Sequence, residues 1–580
     1  MGRLVVPANR IERLPRSAAG LSSGPMKRLL LAFALLFVST PALAKGGVAS
    51  AADPRAAEAG RAMLRAGGSA ADAQMAMLAA LTVVEPQSSG IGGGGFFVYH
   101  DAKSGRSFTV DGRETAPSAA RPDRFLGKDG KPLPFLQAFP GGASVGVPGN
   151  VRLMEVVHRK WGRLPWAALF DPAIKLAEQG FTVTPALASR IAGMGKMWDD
   201  FPAIKSLYWQ DGRPKRAGDT VKNPELAALL RAIAARGPDA FYTGENAARI
   251  VAAVAQSERN PAILNRADLA NYRAKERAPV CAPYRSYRLC GMGPPSSGAT
   301  TVLQILGMLE RFDMKALGKD SPVAWHLIAE AMQLAYADRE LYLGDSDFVA
   351  VPLKGLLDRK YLASRSALLS ETGALASYTA GIPPGAGRRT AAISSEVAGT
   401  TNFVAADGAG NVATMTSTVE GPFGSQLIAS GMVLNNELTD FTFAPEKDGA
   451  RVANAVAAGK RPLSSMAPTI VYDARGRVVL ALGSAGGKRI IMHVTKTLIG
   501  VLDFGLPAQE AIALPNIFFG GGDVLVEQKT ALSAMAPRIA ALGQPVVAAD
   551  LTSKVNAVER TPQGWRGAAD PRSEGVALSE

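Results

Sequence analysis

A threonine directly after a glycine, Gly399-Thr400, opens a run reading Thr400-Thr401-Asn402-Phe403-Val404-Ala405-Ala406-Asp407. Gly408-Ala409-Gly410-Asn411 follows, then a second run from Val412 to Thr418. β-Branched and aromatic residues flanking an Asp, Gly and Asn cluster predict a hairpin. With the turn centred on Ala409, Thr400 faces Thr418, and strand alternation puts Thr414, Thr416 and Thr418 on one face. A row of hydroxyls beside a glycine–threonine bond points to Thr400 as a nucleophile that attacks the Gly399 carbonyl and cuts its own chain. The α-amine so freed has a reference pKa of about 8 and can serve as general base for its own hydroxyl. Thr418 would orient that hydroxyl. Acyl chemistry also needs donors for an oxyanion, and the Gly486 and Gly487 N–H groups, in a Gly-rich turn entering a helix, suit that role.

Other chemistries are poorly supplied. Four histidines, at 100, 158, 326 and 493, lack any metal-ligand spacing, so no metal site is expected. One Gly-x-Ser-x-Gly occurs, Gly142-Ala143-Ser144-Val145-Gly146, but Val147-Pro148-Gly149 delays the helix that a nucleophile elbow requires. The glycines from Gly90 to Gly95 precede Phe96-Phe97-Val98-Tyr99, a strand, where a phosphate loop needs a helix N-terminus. Close backbone packing is the better reading there. No cofactor is implied.

The 580 residues carry a formal charge of +14, with 47% hydrophobic and 20% charged residues, ordinary globular composition. Six basic residues against Glu12 lie within 1–44, and the remaining excess is spread without a basic run, which argues against nucleic-acid binding. Lys27-Arg28, the apolar run Leu29 to Val38 and Ala42-Leu43-Ala44 form a signal-peptide pattern, with 1–25 a possible upstream extension before Met26. The run is too short for a membrane span. A mature protein beginning near Lys45, periplasmic or secreted and without a membrane anchor, is the expectation. Export makes Cys281 and Cys290, flanking a short hairpin candidate at Arg285-Ser286, readable as a disulfide. The alternative is two unrelated thiols.

Positioning elements follow in order. Asp53-Pro54 and Ser69-Ala70-Ala71-Asp72 start two helices. Residues from about 150 to 375 are mostly helical by spacing. A Pro/Gly-rich loop, 377–389, then leads towards Gly399, either as a flexible approach to the cut or as a linker.

Several motifs, taken together, resemble the γ-glutamyltransferase family. They are Thr400-Thr401, Asn435-Asn436-Glu437, Arg461-Pro462-Leu463-Ser464-Ser465-Met466 and Gly483-Ser484-Ala485-Gly486-Gly487, preceded by Pro86 to Gly95 and Asp111-Gly112-Arg113-Glu114-Thr115-Ala116-Pro117. The resemblance runs from about Ala49 to Gly575. It implies an α+β fold, the N-terminal-nucleophile hydrolase αββα sandwich of two sheets between helical layers. It further implies self-cleavage into a large subunit, 45–399, and a small catalytic subunit, 400–580. The implied reaction is hydrolysis or transfer of γ-glutamyl amides such as glutathione, with water, an amino acid or a dipeptide as acceptor. By resemblance Arg113, Ser464 and Ser465 hold the substrate carboxylate, and Glu437 and Asp440 take its ammonium. Read singly, Arg113 could be a surface arginine, Ser464-Ser465 turn hydroxyls, and Asn435-Asn436 a tight bend.

Two departures stand out. Glu420 occupies a place where well-known members have an Asn against the substrate head group, and the loop 442–460 is short and lacks a Tyr. Glu420 would suit an ammonium but could repel the substrate carboxylate, and the short loop leaves an acyl-enzyme open to water, so hydrolysis at least as strong as transfer is expected. The rival readings are a broader acylase for glutaryl- or poly-γ-glutamyl-type amides, and a non-catalytic, uncleaved binding protein.

Overall fold

The computed structural model describes residues 46–391, 399–519 and 522–580, so the signal-peptide pattern and the stretch 392–398 lie outside the described residues. The hairpin forms in the anticipated register: Thr400 to Ala406 pairs antiparallel with Val412 to Thr418, Thr400 opposite Thr418 and Val404 opposite Thr414. The turn is closed by Asp407, whose carboxylate takes the N–H groups of Ala409 and Asn411.

This hairpin is the centre of a sheet of seven described strands. In spatial order they are Val576–Ser579, Val48–Ala51, Thr400–Ala406, Val412–Thr418, Gly94–Asp101, Arg106–Asp111 and Lys275–Arg277. Each neighbouring pair is antiparallel. The Thr400 hairpin is therefore gripped on both sides by strands from before residue 399. A second sheet joins four strands from after residue 399 to two from before it, in the order Gly564–Ala569, Asn556–Thr561, Val478–Gly483, Thr469–Tyr472, Tyr287–Gly291 and Val280–Tyr284. A break between residues 399 and 400 would leave every one of these ladders intact.

Alternation along the hairpin divides the structure into four layers. Phe403, Ala405, Ala413 and Met415 face the buried helix Ala70–Val84 and join the core on that side, which includes the helix Pro54–Arg65. Val404, Ala406 and Val412 face the second sheet, whose Ile470, Leu480 and Leu482 share a core with the helices Gly298–Leu309, Pro322–Tyr342 and Ile490–Leu502. The hydroxyl row lies on this inter-sheet face: Asn402 Nδ2 donates to Thr416 Oγ1 at 3.1 Å, and Thr414 Oγ1 donates to the Leu482 carbonyl at 3.3 Å. Buried polar groups are tolerable there because they satisfy one another.

Local signals hold in detail. Asp53 caps the first helix through Arg55 N–H, and Ser69 with Asp72 makes a full capping box on the second. Cys281 and Cys290 are directly opposed in their hairpin and disulfide-bonded. Ser144 is buried in a 3₁₀ turn, its hydroxyl donating to the Phe139 and Gly141 carbonyls at 2.5 and 2.9 Å, so it is structural. The glycines before Gly94–Asp101 permit close backbone approach: a Cβ on Gly92 or Gly93 would lie 2.0 Å from the Val433 or Thr418 carbonyl oxygen.

The loop 377–389 is irregular but tied down. Tyr378 donates to Glu330, Gly381 N–H to Asp338 at 2.9 Å, and Thr390 forms a bridge with Val452. No helix among the described residues is long and apolar enough to cross a membrane.

Candidate active site

Thr400 begins its strand with its side chain on the inter-sheet face, at the rim where the two sheets meet. Its hydroxyl donates to Thr418 Oγ1 at 3.2 Å. Thr418 Oγ1 in turn donates to the Gly399 carbonyl at 3.0 Å and accepts the Glu420 N–H at 2.8 Å. Thr418 thus links the hydroxyl of Thr400 to the carbonyl that precedes it, and a hydrogen bond to that carbonyl draws electron density from its carbon. Position 399 has room for glycine alone, since a Cβ would stand 2.2 Å from the Glu420 carbonyl oxygen. Glu420 itself is held at φ +77, a conformation costly for a residue with a side chain, and its carboxylate accepts a hydrogen bond from Asn436 Nδ2.

Two recesses meet at Thr400. The inner one, with about 220 Å³ of empty space, is lined by Arg113, Thr418, Glu420, Glu437, Asp440, Ser464, Ser465 and Gly487. The outer one, with about 1190 Å³ of empty space, is larger and is lined by Ala485, Gly486 and a set of charged side chains. Every site residue expected from the sequence therefore reaches one of the two or borders Thr400. Gly486 and Gly487 have φ values of +134 and +59, which turns the chain out of the strand Val478–Gly483 towards the helix Ile490–Leu502. Among the described residues no acceptor takes either N–H. None of residues 442–460 lines either recess.

Arg113 is fully buried, not a surface arginine. Its guanidinium pairs with Glu437 and, at 2.5 Å, with Asp440, and donates to the Pro462 and Leu463 carbonyls at 3.2 and 2.8 Å. The side chains expected to hold opposite ends of a zwitterionic head group thus hold each other. Burial raises the Glu437 carboxyl well above the usual carboxylate range, although Arg113 pulls it down. Charged groups so enclosed persist when paired and hydrogen-bonded.

Three side chains have contacts at the site that the sequence reading did not assign, although Asn435 and Glu114 lie in its motifs. Arg339, buried on the helix Pro322–Tyr342, donates to Ser465 Oγ at 2.8 Å and to Ser297 Oγ at 2.9 Å, fixing the Ser464-Ser465 turn. Asn435 ties its own turn to the glycine loop and to Gly146, accepting the Gly146 N–H and donating to the Gly92 carbonyl, both at 2.9 Å. Glu114 is the third. Nothing in its local sequence marks it as buried, yet it is enclosed beside Arg113.

Burial pushes Glu114 up to about 8, against the lowering influence of Arg113. A carboxyl held protonated by the fold favours the folded state at low pH, and that contribution is lost as pH rises towards the folded value. Wild type is therefore expected to lose stability relative to Glu114→Gln between about pH 4.5 and 8, by on the order of a few kcal/mol. Chemical denaturation of both proteins across that range checks this, and parallel curves would refute it.

Comparisons with known proteins agree with this geometry. The family model described as "Gamma-glutamyltranspeptidase" matches residues 56–579. A glutathione hydrolase proenzyme of Bacillus subtilis (strain 168) is 38% identical over 483 residues, 82% of this chain and 81% of that one. An acylase proenzyme of Pseudomonas sp. (strain SE83) is 35% identical over 550 residues, 93% and 94% of the two chains. Among solved structures, a cephalosporin acylase from Bacillus halodurans superposes with a TM-score of 0.81 at 26% identity, covering 92% of this chain and 95% of its own. The four-layer arrangement is that of the N-terminal-nucleophile hydrolases. With a match spanning nearly all described residues, the chain belongs to the γ-glutamyltranspeptidase family.

Proposed function

We propose that this protein is an exported, self-processing γ-glutamyl hydrolase and transferase that cleaves amides such as glutathione through an acyl-enzyme on Thr400. The observation that carries the reading is the hydrogen-bonded series Thr400–Thr418–Gly399 at the junction of two recesses. In maturation the Thr400 Oγ adds to the Gly399 carbonyl carbon, the C–N bond breaks, and an ester with a free α-amine results. Water then opens the ester, leaving a Gly399 carboxylate and subunits 45–399 and 400–580. Loss of the bond also clears the carbonyl from Thr418, so that the same hydroxyl can orient the mature nucleophile.

In turnover the α-amine of Thr400 takes the proton from its own Oγ as that oxygen attacks the γ-amide carbonyl. The Gly486 and Gly487 N–H groups stabilise the oxyanion, and such donors contribute about 3 kcal/mol each. The leaving amine departs with the proton, and water or an acceptor amine resolves the ester. The inner recess takes the glutamyl head group: Arg113, Ser464 and Ser465 at its carboxylate, Glu437, Asp440 and Glu420 at its ammonium. Glu437, Asp440 and Glu420 line the recess and offer acceptors to an ammonium, which a γ-glutamyl group brings and a glutaryl group does not. The relatives named as acylases support a broader amide acylase as the second reading.

Side-by-side assay of γ-glutamyl and glutaryl anilides tests the choice. The γ-glutamyl compound is expected to react with the higher kcat/KM, and a glutaryl preference would favour the acylase. With no residue of 442–460 closing over Thr400, anilide release in water alone should at least match the increment produced by an acceptor dipeptide. Strict dependence on the acceptor would count against that expectation.

A further inference from the structure

The turn that carries the Gly486 and Gly487 N–H groups is backed by a buried histidine that no step of the chemistry above uses. His493 lies in the first turn of the helix Ile490–Leu502 and is buried. Its Nδ1 stands 3.1 Å from the Ala485 carbonyl oxygen and 3.0 Å from Ser484 Oγ. A carbonyl can only accept, so Nδ1 carries the proton and donates to Ala485. Ser484 Oγ donates to the same carbonyl at 3.2 Å. Burial first, then the positive charges of Lys496, Arg489 and Arg572, lower His493 to about 3 against the raising influence of the Ala485 hydrogen bond. The ring is therefore neutral at any ordinary working pH.

The Ala485 carbonyl and the Gly486 N–H are the two ends of one peptide unit, and in a trans unit they point in opposite directions. The only cis bond among the described residues is Pro294–Pro295. Holding the carbonyl against His493 thus turns the Gly486 N–H away from the helix. A hydrogen bond that draws density from the carbonyl also makes that N–H a stronger donor. Ring and turn touch: a Cβ on Gly486 would lie 3.1 Å from His493 Cε1. Tyr336 holds the far flank of the turn, donating to the Lys488 carbonyl.

From this arrangement we infer that His493 is a positioning residue for acyl transfer, which through the Ala485 carbonyl aims and polarises the Gly486 N–H towards the oxyanion. The inference rests on the oxyanion role proposed for Gly486 and adds the side chain that sets its direction. Self-cleavage does not draw on it, because the Gly399 carbonyl is contacted by Thr418.

The test compares processed wild type, His493→Leu and His493→Asn on whichever of the γ-glutamyl and glutaryl anilides wild type cleaves better. The reading of the inner recess can then fail without deciding this one. Asparagine keeps an N–H donor near the place of Nδ1, and leucine fills similar space without one. His493→Leu is expected to lower kcat roughly ten- to a hundredfold, the scale of an oxyanion donor misplaced, not removed. KM should move little, since formation and hydrolysis of the acyl-enzyme both pass through the oxyanion. The loss should be the same from about pH 6 to 9, because a neutral ring has no proton to exchange there. His493→Asn should recover most of kcat, and both precursors should cleave themselves at the wild-type rate. Unchanged kcat in His493→Leu would overturn the inference. If Gly486→Ala then abolishes turnover, the inference falls alone; if it does not, the oxyanion reading falls with it. Equal losses in the two His493 variants, or self-cleavage slowed along with turnover, would make His493 a structural prop and overturn the inference as well.

Discussion

Thr400→Ala is expected to run as one polypeptide on a denaturing gel where the wild type gives two, of roughly 355 and 181 residues. Alanine removes the oxygen proposed to attack the Gly399 carbonyl while leaving the strand and its ladders undisturbed, so the variant should fold and remain whole. Activity on a γ-glutamyl anilide should drop by on the order of 10⁴ or more, because the variant loses both the nucleophile and the α-amine that cleavage would release. N-terminal sequencing of the smaller wild-type fragment should begin Thr-Thr-Asn-Phe. Thr400→Ser, which keeps the hydroxyl, should still give two bands. Thr418→Ala should slow cleavage without abolishing it, since Thr418 contacts the carbonyl but does not attack it. Two bands from Thr400→Ala would remove Thr400 from the chemistry, and a wild type that stays whole would favour the non-catalytic reading.

How much of this could be read from the chain depends on the range of the forces involved. The hairpin register, the helix caps at Asp53 and Ser69 and the Cys281–Cys290 pair were legible because each is decided within a single short stretch of chain, by turn chemistry, side-chain alternation and capping residues. The candidate site was legible as a set of motifs, yet its internal wiring was not. Arg113 and its partners Glu437 and Asp440 are more than 300 positions apart, and no local pattern says that the guanidinium is closed by them. Arg339 reads as one more helix arginine until the helix packs beside Ser465. Glu114 reads as a turn acid until its burial beside Arg113 is known. What escaped was in each case a polar group whose partner comes from a distant segment, where hydrophobic periodicity carries no information.

Arg113→Met is expected to show the second large effect, and to separate maturation from turnover. Removing a fully buried guanidinium leaves Glu437 and Asp440 without the cation that accompanies them, and breaking a buried pair from one side typically costs about 3–5 kcal/mol. That cost should depend on pH. Without the guanidinium that lowers it, the Glu437 carboxyl rises further above its unfolded value, so the variant's folded state gains relative stability from protons. The gap between wild type and variant should widen only as pH rises through the raised wild-type value of the Glu437 carboxyl, as read by denaturant midpoints. Cleavage at Gly399–Thr400 should nevertheless survive wherever the variant folds, because the Thr400–Thr418–Gly399 contacts do not pass through Arg113. Activity of the processed variant on a γ-glutamyl anilide should be down by on the order of 10³, the worth of a buried charge-assisted clamp on the substrate carboxylate. A lysine at 113 would restore charge but not the fork that reaches Glu437, Asp440 and the Pro462 and Leu463 carbonyls together, so Arg113→Lys should regain more stability than activity. If instead Arg113→Met is processed normally and turns over at near wild-type rates, the guanidinium is only a structural counter-ion, and the substrate carboxylate must be held elsewhere.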